Sequence, residues 1–135
     1  MYATSIEIDS WRGNVRNDIT LRCKDVSDVE RALRHLDGHR TTEVEISGSG
    51  ERSMIVSGGN DSRYLVICFV NQDGDSYTLG NSKAEEGVEL MVTAGGQPAE
   101  FPAAKIVDLE TAIEAATHFA LTGQRVNSRI WIKEY

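Results

Sequence analysis

The stretch from residue 108 to the end of the chain places the strongest constraint on the fold. Small and apolar side chains recur there at helical spacing and form one stripe: Leu109, Ala112, Ile113, Ala116, Phe119 and Ala120. Asp108 precedes the stripe as a suitable N-cap, and Gly123 follows it, where a residue with positive φ ends a helix. Residues 129–135 then alternate as a half-buried strand does. We therefore expect a capped helix followed by a closing strand.

Upstream of this helix, short alternating segments separated by glycine-containing turns predict a series of strands. They cover residues 5–9, 19–24, 42–47, 54–57, 64–70, 76–80 and 88–93. The segment 64–70 is apolar on both faces, which predicts an interior strand covered on both sides. Asp73-Gly74 is the strongest hairpin signal in the chain. Ser27 with Glu30 reads as the capping box of another helix, which we expect to end at Gly38.

Together these elements predict an α+β fold in one domain, residues 1–135. Short connections favour a mainly antiparallel sheet of about six to eight strands, and two helices with one apolar stripe each can cover at least one face of it. A chain of 135 residues is long enough to bury a core without disulfides.

The net charge, the apolar runs and the two cysteines indicate which partners and which compartment fit this chain. A net charge of −7 is a poor match for nucleic acid, whose phosphates attract Lys and Arg. No apolar run is long enough to span a bilayer, and the first residues lack the pattern of a secretory signal. Cys23 and Cys68 fit buried free thiols of a reducing compartment. We therefore expect a cytoplasmic protein.

Acidic residues concentrate between residues 71 and 100, where Lys83 is the one basic residue. They are Asp73, Asp75, Glu85, Glu86, Glu89 and Glu100. Charge alone favours a solvated loop and sheet edge. The alternative is a docking face for a basic partner, since complementary potentials steer association.

No pattern in the sequence supports catalysis, a metal or a cofactor. His35 and His39 have the spacing of a helical metal pair, but Gly38 lies between them and no third ligand is near. Asp73-Gly74-Asp75 begins like a calcium loop, yet Ala84 stands where the bidentate glutamate belongs. We expect the chain not to be an enzyme.

Several short motifs of the C-terminal half occur together in one known family. They are Tyr77-Thr78-Leu79-Gly80-Asn81, then Glu100-Phe101-Pro102, the helix end Phe119-Ala120-Leu121-Thr122-Gly123, Arg125, and a closing strand with Trp131. Over about residues 63–135 the chain resembles immunity family one (Imm-one) of bacterial polymorphic toxin systems. The resemblance implies an inhibitor that binds a cognate toxin, often a deaminase or nuclease, and blocks its active site or substrate cleft.

Charge, rather than the family, suggests where the toxin binds. We expect the contact residues to be Asp73, Asp75, Tyr77, Glu85, Glu86 and Glu89, with Tyr77 as an aromatic anchor. Trp131 is either core or a second anchor, and core is the commoner fate. A small ligand-binding or enzymatic domain and a structural subunit that pairs through a free strand edge remain alternatives. The sequence leaves the oligomeric state open, with a monomer favoured.

Overall fold

The computed structural model describes residues 1–71 and 74–134. Within these ranges two α-helices and nine strands follow one another along the chain. In order they are β1 (Ala3–Arg12), β2 (Val15–Arg22), α1 (Val26–Arg34), β3 (Glu43–Gly48), β4 (Ser53–Gly58), β5 (Tyr64–Phe69), β6 (Ser76–Leu79), β7 (Glu89–Ala94), β8 (Gln97–Pro102), α2 (Leu109–Thr122) and β9 (Trp131–Lys133). The predicted strands are confirmed, with ends shifted by a few residues.

Seven strands form one antiparallel sheet in the order β2-β1-β3-β4-β5-β6-β9. Strands β7 and β8 form a separate two-stranded hairpin. The α+β class with a mainly antiparallel sheet and two helices is therefore confirmed.

Both helices pack on one face of the large sheet. In that face Ile6, Ile46, Met54 and Cys68 lie opposite one another on neighbouring strands, and all four are fully buried. Phe119 of α2 is also fully buried in the same cluster. Because paired residues of antiparallel strands share a face, this row fixes which side of each strand meets the helices.

The caps of α2 agree with the prediction, whereas those of α1 do not. The Asp108 carboxylate accepts the Thr111 N–H at 2.8 Å, and Gly123 ends α2 with φ 72°. The predicted capping box of Ser27 and Glu30 is wrong, because Asp25 caps α1 and Asp28 completes its box. Helix α1 also ends at Arg34, before the predicted stop at Gly38.

The hairpin of β7 and β8 crosses the face of the sheet that the helices leave open. Val92 packs there against Leu65 and Ile106, and Leu90 and Phe101 pack beside them. Strand β5 is therefore covered on both faces around Leu65, as predicted for the run 64–70. Strand β7 does not continue the meander, and β9 takes the place next to β6 instead.

A buried carboxylate joins β1, β3 and the hairpin turn. Asp9 is 1 % exposed and accepts hydrogen bonds from the Thr42 N–H at 2.7 Å, the Glu43 N–H at 2.8 Å and the Trp11 indole N–H at 2.7 Å. The Thr42 hydroxyl donates to the same carboxylate and accepts the Gly96 N–H at 2.9 Å. Gly96 has φ 80°, and a Cβ there would lie 2.3 Å from the Trp11 ring.

We expect Asp9→Ala to lower the free energy of unfolding by about 2–4 kcal/mol, because it leaves buried N–H donors of Trp11, Thr42 and Glu43 without an acceptor. Urea denaturation followed by circular dichroism measures the change. Glu51→Ala, at an exposed loop position, is the control and should cost less than about 0.5 kcal/mol. Equal losses for the two variants would contradict the structural role of Asp9.

Candidate partner-binding surface

The three glutamates of the predicted contact set lie on one short segment. Glu85 and Glu86 are in the loop between β6 and β7, and Glu89 is the first residue of β7. All three are exposed. In the part of the chain that the structure describes, none of them forms an ion pair, so their charge is not neutralised internally.

The loop that carries these acids is tied to the end of β8. The Asn81 N–H donates to the Ala104 carbonyl at 2.7 Å, and its side-chain amide donates to the Ile106 carbonyl at 3.1 Å. The Ala103 N–H donates to the Val88 carbonyl at 2.8 Å. These bonds hold the loop in place, which lowers the entropy that a partner must remove on binding.

Apolar side chains are exposed among these carboxylates. Met91 is 44 % exposed and lies directly opposite Glu100 in the β7–β8 ladder, and Val88 is 36 % exposed at the end of the loop. We call this set the hairpin surface, and its members are Glu85, Glu86, Val88, Glu89, Met91 and Glu100. Sequence reasoning did not assign Val88 and Met91 to it, although the alternation of Met91 with the buried Val92 was a usable signal.

The rest of the predicted contact set lies elsewhere. Tyr77 pairs with the buried Cys68, so its ring is on the helix side of the sheet, where the Arg125 guanidinium stacks 3.5 Å from the ring centroid. Asp75 accepts a hydrogen bond from the Asn71 side chain at 2.8 Å beside the β5–β6 connection. Asp73 lies outside the described residues. The hairpin surface therefore unites Glu85, Glu86 and Glu89 but not Tyr77.

Trp131 belongs to the edge of the core. It packs half-buried against the main cluster, and its indole N–H donates to the Val126 carbonyl at 2.9 Å. Ile130, which was expected in the closing strand, precedes β9 and is 60 % exposed.

A second acidic pair lies on the open face of the sheet. Glu7 and Glu45 are directly opposite each other, and Ile55 and Ile67 continue the same row on β4 and β5. Burial, and then the charge of Glu7, raise the pKa of Glu45. Like charges directly opposite each other destabilise a sheet. Other contacts of the fold therefore keep Glu7 and Glu45 close together, and the pair itself lowers the free energy of unfolding.

The two thiols are buried, and the described residues provide no cluster of metal ligands. Burial raises the pKa of the Cys68 thiol to about 11, so this thiol is a weak nucleophile at neutral pH. The Cys23 thiol is also buried and free, and burial raises its pKa. Across residues 1–71 and 74–134, His, Cys, Asp and Glu side chains form no group of three or more that is arranged for a metal ion.

The family model described as Immunity protein Imm1 matches residues 16–129. The chain belongs to the Imm1 family of immunity proteins. The predicted resemblance is confirmed, and it reaches well into the N-terminal half, because the match begins within β2. No curated protein matches the chain.

Membership in Imm1 assigns a toxin-neutralising function, with a cognate toxin protein as the partner. It also indicates an inhibitor rather than an enzyme. The matched residues include both helices and the whole hairpin surface. Among the described helices, neither α1 nor α2 has the length and apolar character needed to cross a membrane.

The raised pKa of Glu45 gives a pH-dependent prediction. The folded state binds the Glu45 proton more tightly than the unfolded state does, so the charged form destabilises the fold above its raised pKa. Glu45→Gln should therefore increase the free energy of unfolding by about 0.5–1 kcal/mol at pH 7, and the gain should disappear below the ordinary glutamate pKa of 4.5.

Thermal unfolding of Glu45→Gln across pH 3.5–8 measures this effect, with Glu51→Gln in an exposed loop as the control. A gain that is the same at every pH would show that repulsion and burial of the Glu45 charge are not its cause.

Proposed function

We propose that this Imm1 protein neutralises a nucleic-acid-targeting toxin, a deaminase or a nuclease, by placing the hairpin surface against the toxin's substrate cleft. The observation that supports the proposal most strongly is the set of exposed carboxylates of Glu85, Glu86 and Glu89, which form no ion pair within the described residues and lie near the exposed Met91. A cleft that binds nucleic acid carries Lys and Arg for the phosphates. The hairpin surface presents the opposite charge to such a cleft.

The composition of the hairpin surface fits a protein interface. Stable interfaces combine an apolar centre with a charged rim, and methionine is enriched in them. Met91 and Val88 supply apolar area, and the glutamates supply charge that speeds association and selects a basic partner. Because Asn81 and Ala103 fix the loop, little conformational freedom is lost when the partner binds.

We place this inhibition in the cytoplasm. The two thiols, Cys23 and Cys68, are buried and unpaired, as is common in proteins of a reducing compartment. A toxin that acts on nucleic acid also has its substrate there.

The proposal predicts tight, salt-sensitive binding to the toxin domain whose gene lies next to the gene for this chain. Isothermal titration calorimetry at about 50 mM and about 300 mM NaCl should give nanomolar affinity at low salt and a clear loss at high salt, because screening weakens exposed charge pairs. Tight binding that is insensitive to salt would indicate that the interface lies on an apolar surface instead. Failure to bind that toxin would overturn the proposed function for this pair.

Charge reversal then tests the location. We expect Glu85→Lys with Glu86→Lys to weaken binding at least about tenfold, which is about 1.4 kcal/mol, and to reduce its salt dependence. Glu51→Lys with Glu110→Lys is the control for net charge, because it changes the net charge equally at two other exposed positions, of which Glu110 also pairs with Arg34 at 3.4 Å. If both double variants lose affinity to the same extent, net charge rather than the hairpin surface determines binding.

A further inference from the structure

Strand β2 exposes an apolar stripe at one edge of the large sheet. Val15 is 57 % exposed, Ile19 48 % and Leu21 43 %. All three point to the helix side, because Ile19 pairs with Ile8 and Leu21 with Ile6. Scattered apolar residues are normal on a surface, but three on one face of a single strand, interrupted by Asn17 alone, form a patch of the kind that marks interaction sites.

The edge formed by β2 is also long and regular, although it carries the charged side chains of Arg16, Asp18 and Arg22. The strand has eight residues in regular register with β1 and contains no proline, whereas the opposite edge strand, β9, has only three residues. Natural proteins usually shorten, charge or distort a free edge because its backbone groups pair readily with another strand. Strand β2 retains a long, regular edge that can accept a partner.

The backbone groups that face outward on β2 are identified by its hydrogen bonds to β1. The Cys23 N–H donates to the Thr4 carbonyl at 2.9 Å, and Val15 closes the two-residue turn opposite Arg12. Odd-numbered residues of β2 therefore bond to β1, since bonding alternates along an antiparallel ladder. Asp18, Thr20 and Arg22 direct their N–H and C=O groups away from the sheet.

We propose that β2 pairs in antiparallel orientation with β2 of a second copy of this chain, about a two-fold axis at Thr20. In this register Asp18 lies opposite Arg22 of the other copy, and Ile19 lies opposite Leu21, each twice by symmetry. Opposite charges and apolar pairs that face each other across strands stabilise a sheet. The strand is therefore complementary to itself in both charge and hydrophobicity.

Two neighbouring registers place like charges opposite each other. An axis at Asp18 places two Asp18 carboxylates against each other, and an axis at Ile19 places Arg16 opposite Arg22. With the axis at Thr20, the one like-charge pair, Arg16 with Lys24, falls at the end of β2. Arg16 is held there at 2.7 Å from the Asp18 carboxylate of its own chain.

Pairing through β2 would join the two large sheets and leave the hairpin surface accessible. Strands β1, β3, β4 and β5 separate β2 from β6, which leads into the acidic loop. Dimerisation and toxin binding can therefore be tested independently, and failure of one proposal does not imply failure of the other.

Sedimentation velocity across a concentration series from about 1 µM to about 1 mM tests the dimer. We expect a concentration-dependent dimer, loss of at least tenfold in self-affinity for Arg22→Asp, and recovery in the double variant Asp18→Arg with Arg22→Asp, which restores opposite charges across the axis. Circular dichroism checks that each variant is folded. A monomer at every concentration, or a double variant no better than Arg22→Asp, would overturn the proposal.

Disulfide trapping tests the register. Thr20→Cys places two thiols across the axis, within about 5.5 Å between Cα atoms, and should cross-link under mild oxidation. Arg16→Cys is the matched control on the same strand and face, and its two copies would lie more than about 20 Å apart at about 3.3 Å per residue. Cross-linking of Arg16→Cys but not Thr20→Cys would contradict the register. Loss of toxin binding with Arg22→Asp in a monomeric wild type would assign the edge to the toxin instead.

Discussion

The hydrogen bonds that the Asp9 carboxylate accepts are central to the arrangement of the two sheets. Taking a carboxylate out of water costs several kcal/mol unless donors replace the lost hydration. Trp11, Thr42 and Glu43 provide those donors here, from β1 and from the start of β3. The Thr42 hydroxyl then receives the Gly96 N–H. This buried carboxylate therefore helps to fix the position of the β7–β8 turn, together with the hydrogen bonds between Asn60 and Thr93.

Local signals in the sequence predicted the elements well but not all of their partners. Asp108 and Gly123 bound α2 as expected, because caps act within one turn of the helix. For α1 two capping patterns begin two residues apart, and Asp25 caps the helix with Asp28 returning the bond, while the Ser27 hydroxyl donates to the Asp25 carboxylate. The separation of β7 from the large sheet depends on contacts of Val92 with Leu65 and Ile106, which are distant in sequence. Alternation alone predicts a strand without predicting what it pairs with.

The candidate site was predictable to a similar degree. Clustering of charge identified Glu85, Glu86 and Glu89, which share one exposed segment. Charge gives no information about the side of a strand, and Tyr77 is turned to the helix side by its register with Cys68. That register is set by pairing over the whole sheet, because a shift by one residue would exchange the faces. A single aromatic residue near an acidic run therefore did not predict which surface it would join.

Geometry also explains why β2 is the strand left uncovered. Seven strands about 4.8 Å apart span about 29 Å, whereas two packed helices about 10 Å in diameter cover about 20 Å. Helix α1 packs on β1 and β3, and α2 on β1, β3, β4 and β5. All eight residues of β2 are exposed, so this strand lies outside the width that the helices cover. Its apolar stripe of Val15, Ile19 and Leu21 is left outside the helical layer, and the proposed pairing would bring Ile19 of one copy beside Leu21 of the other on this same face, where each covers part of its neighbour.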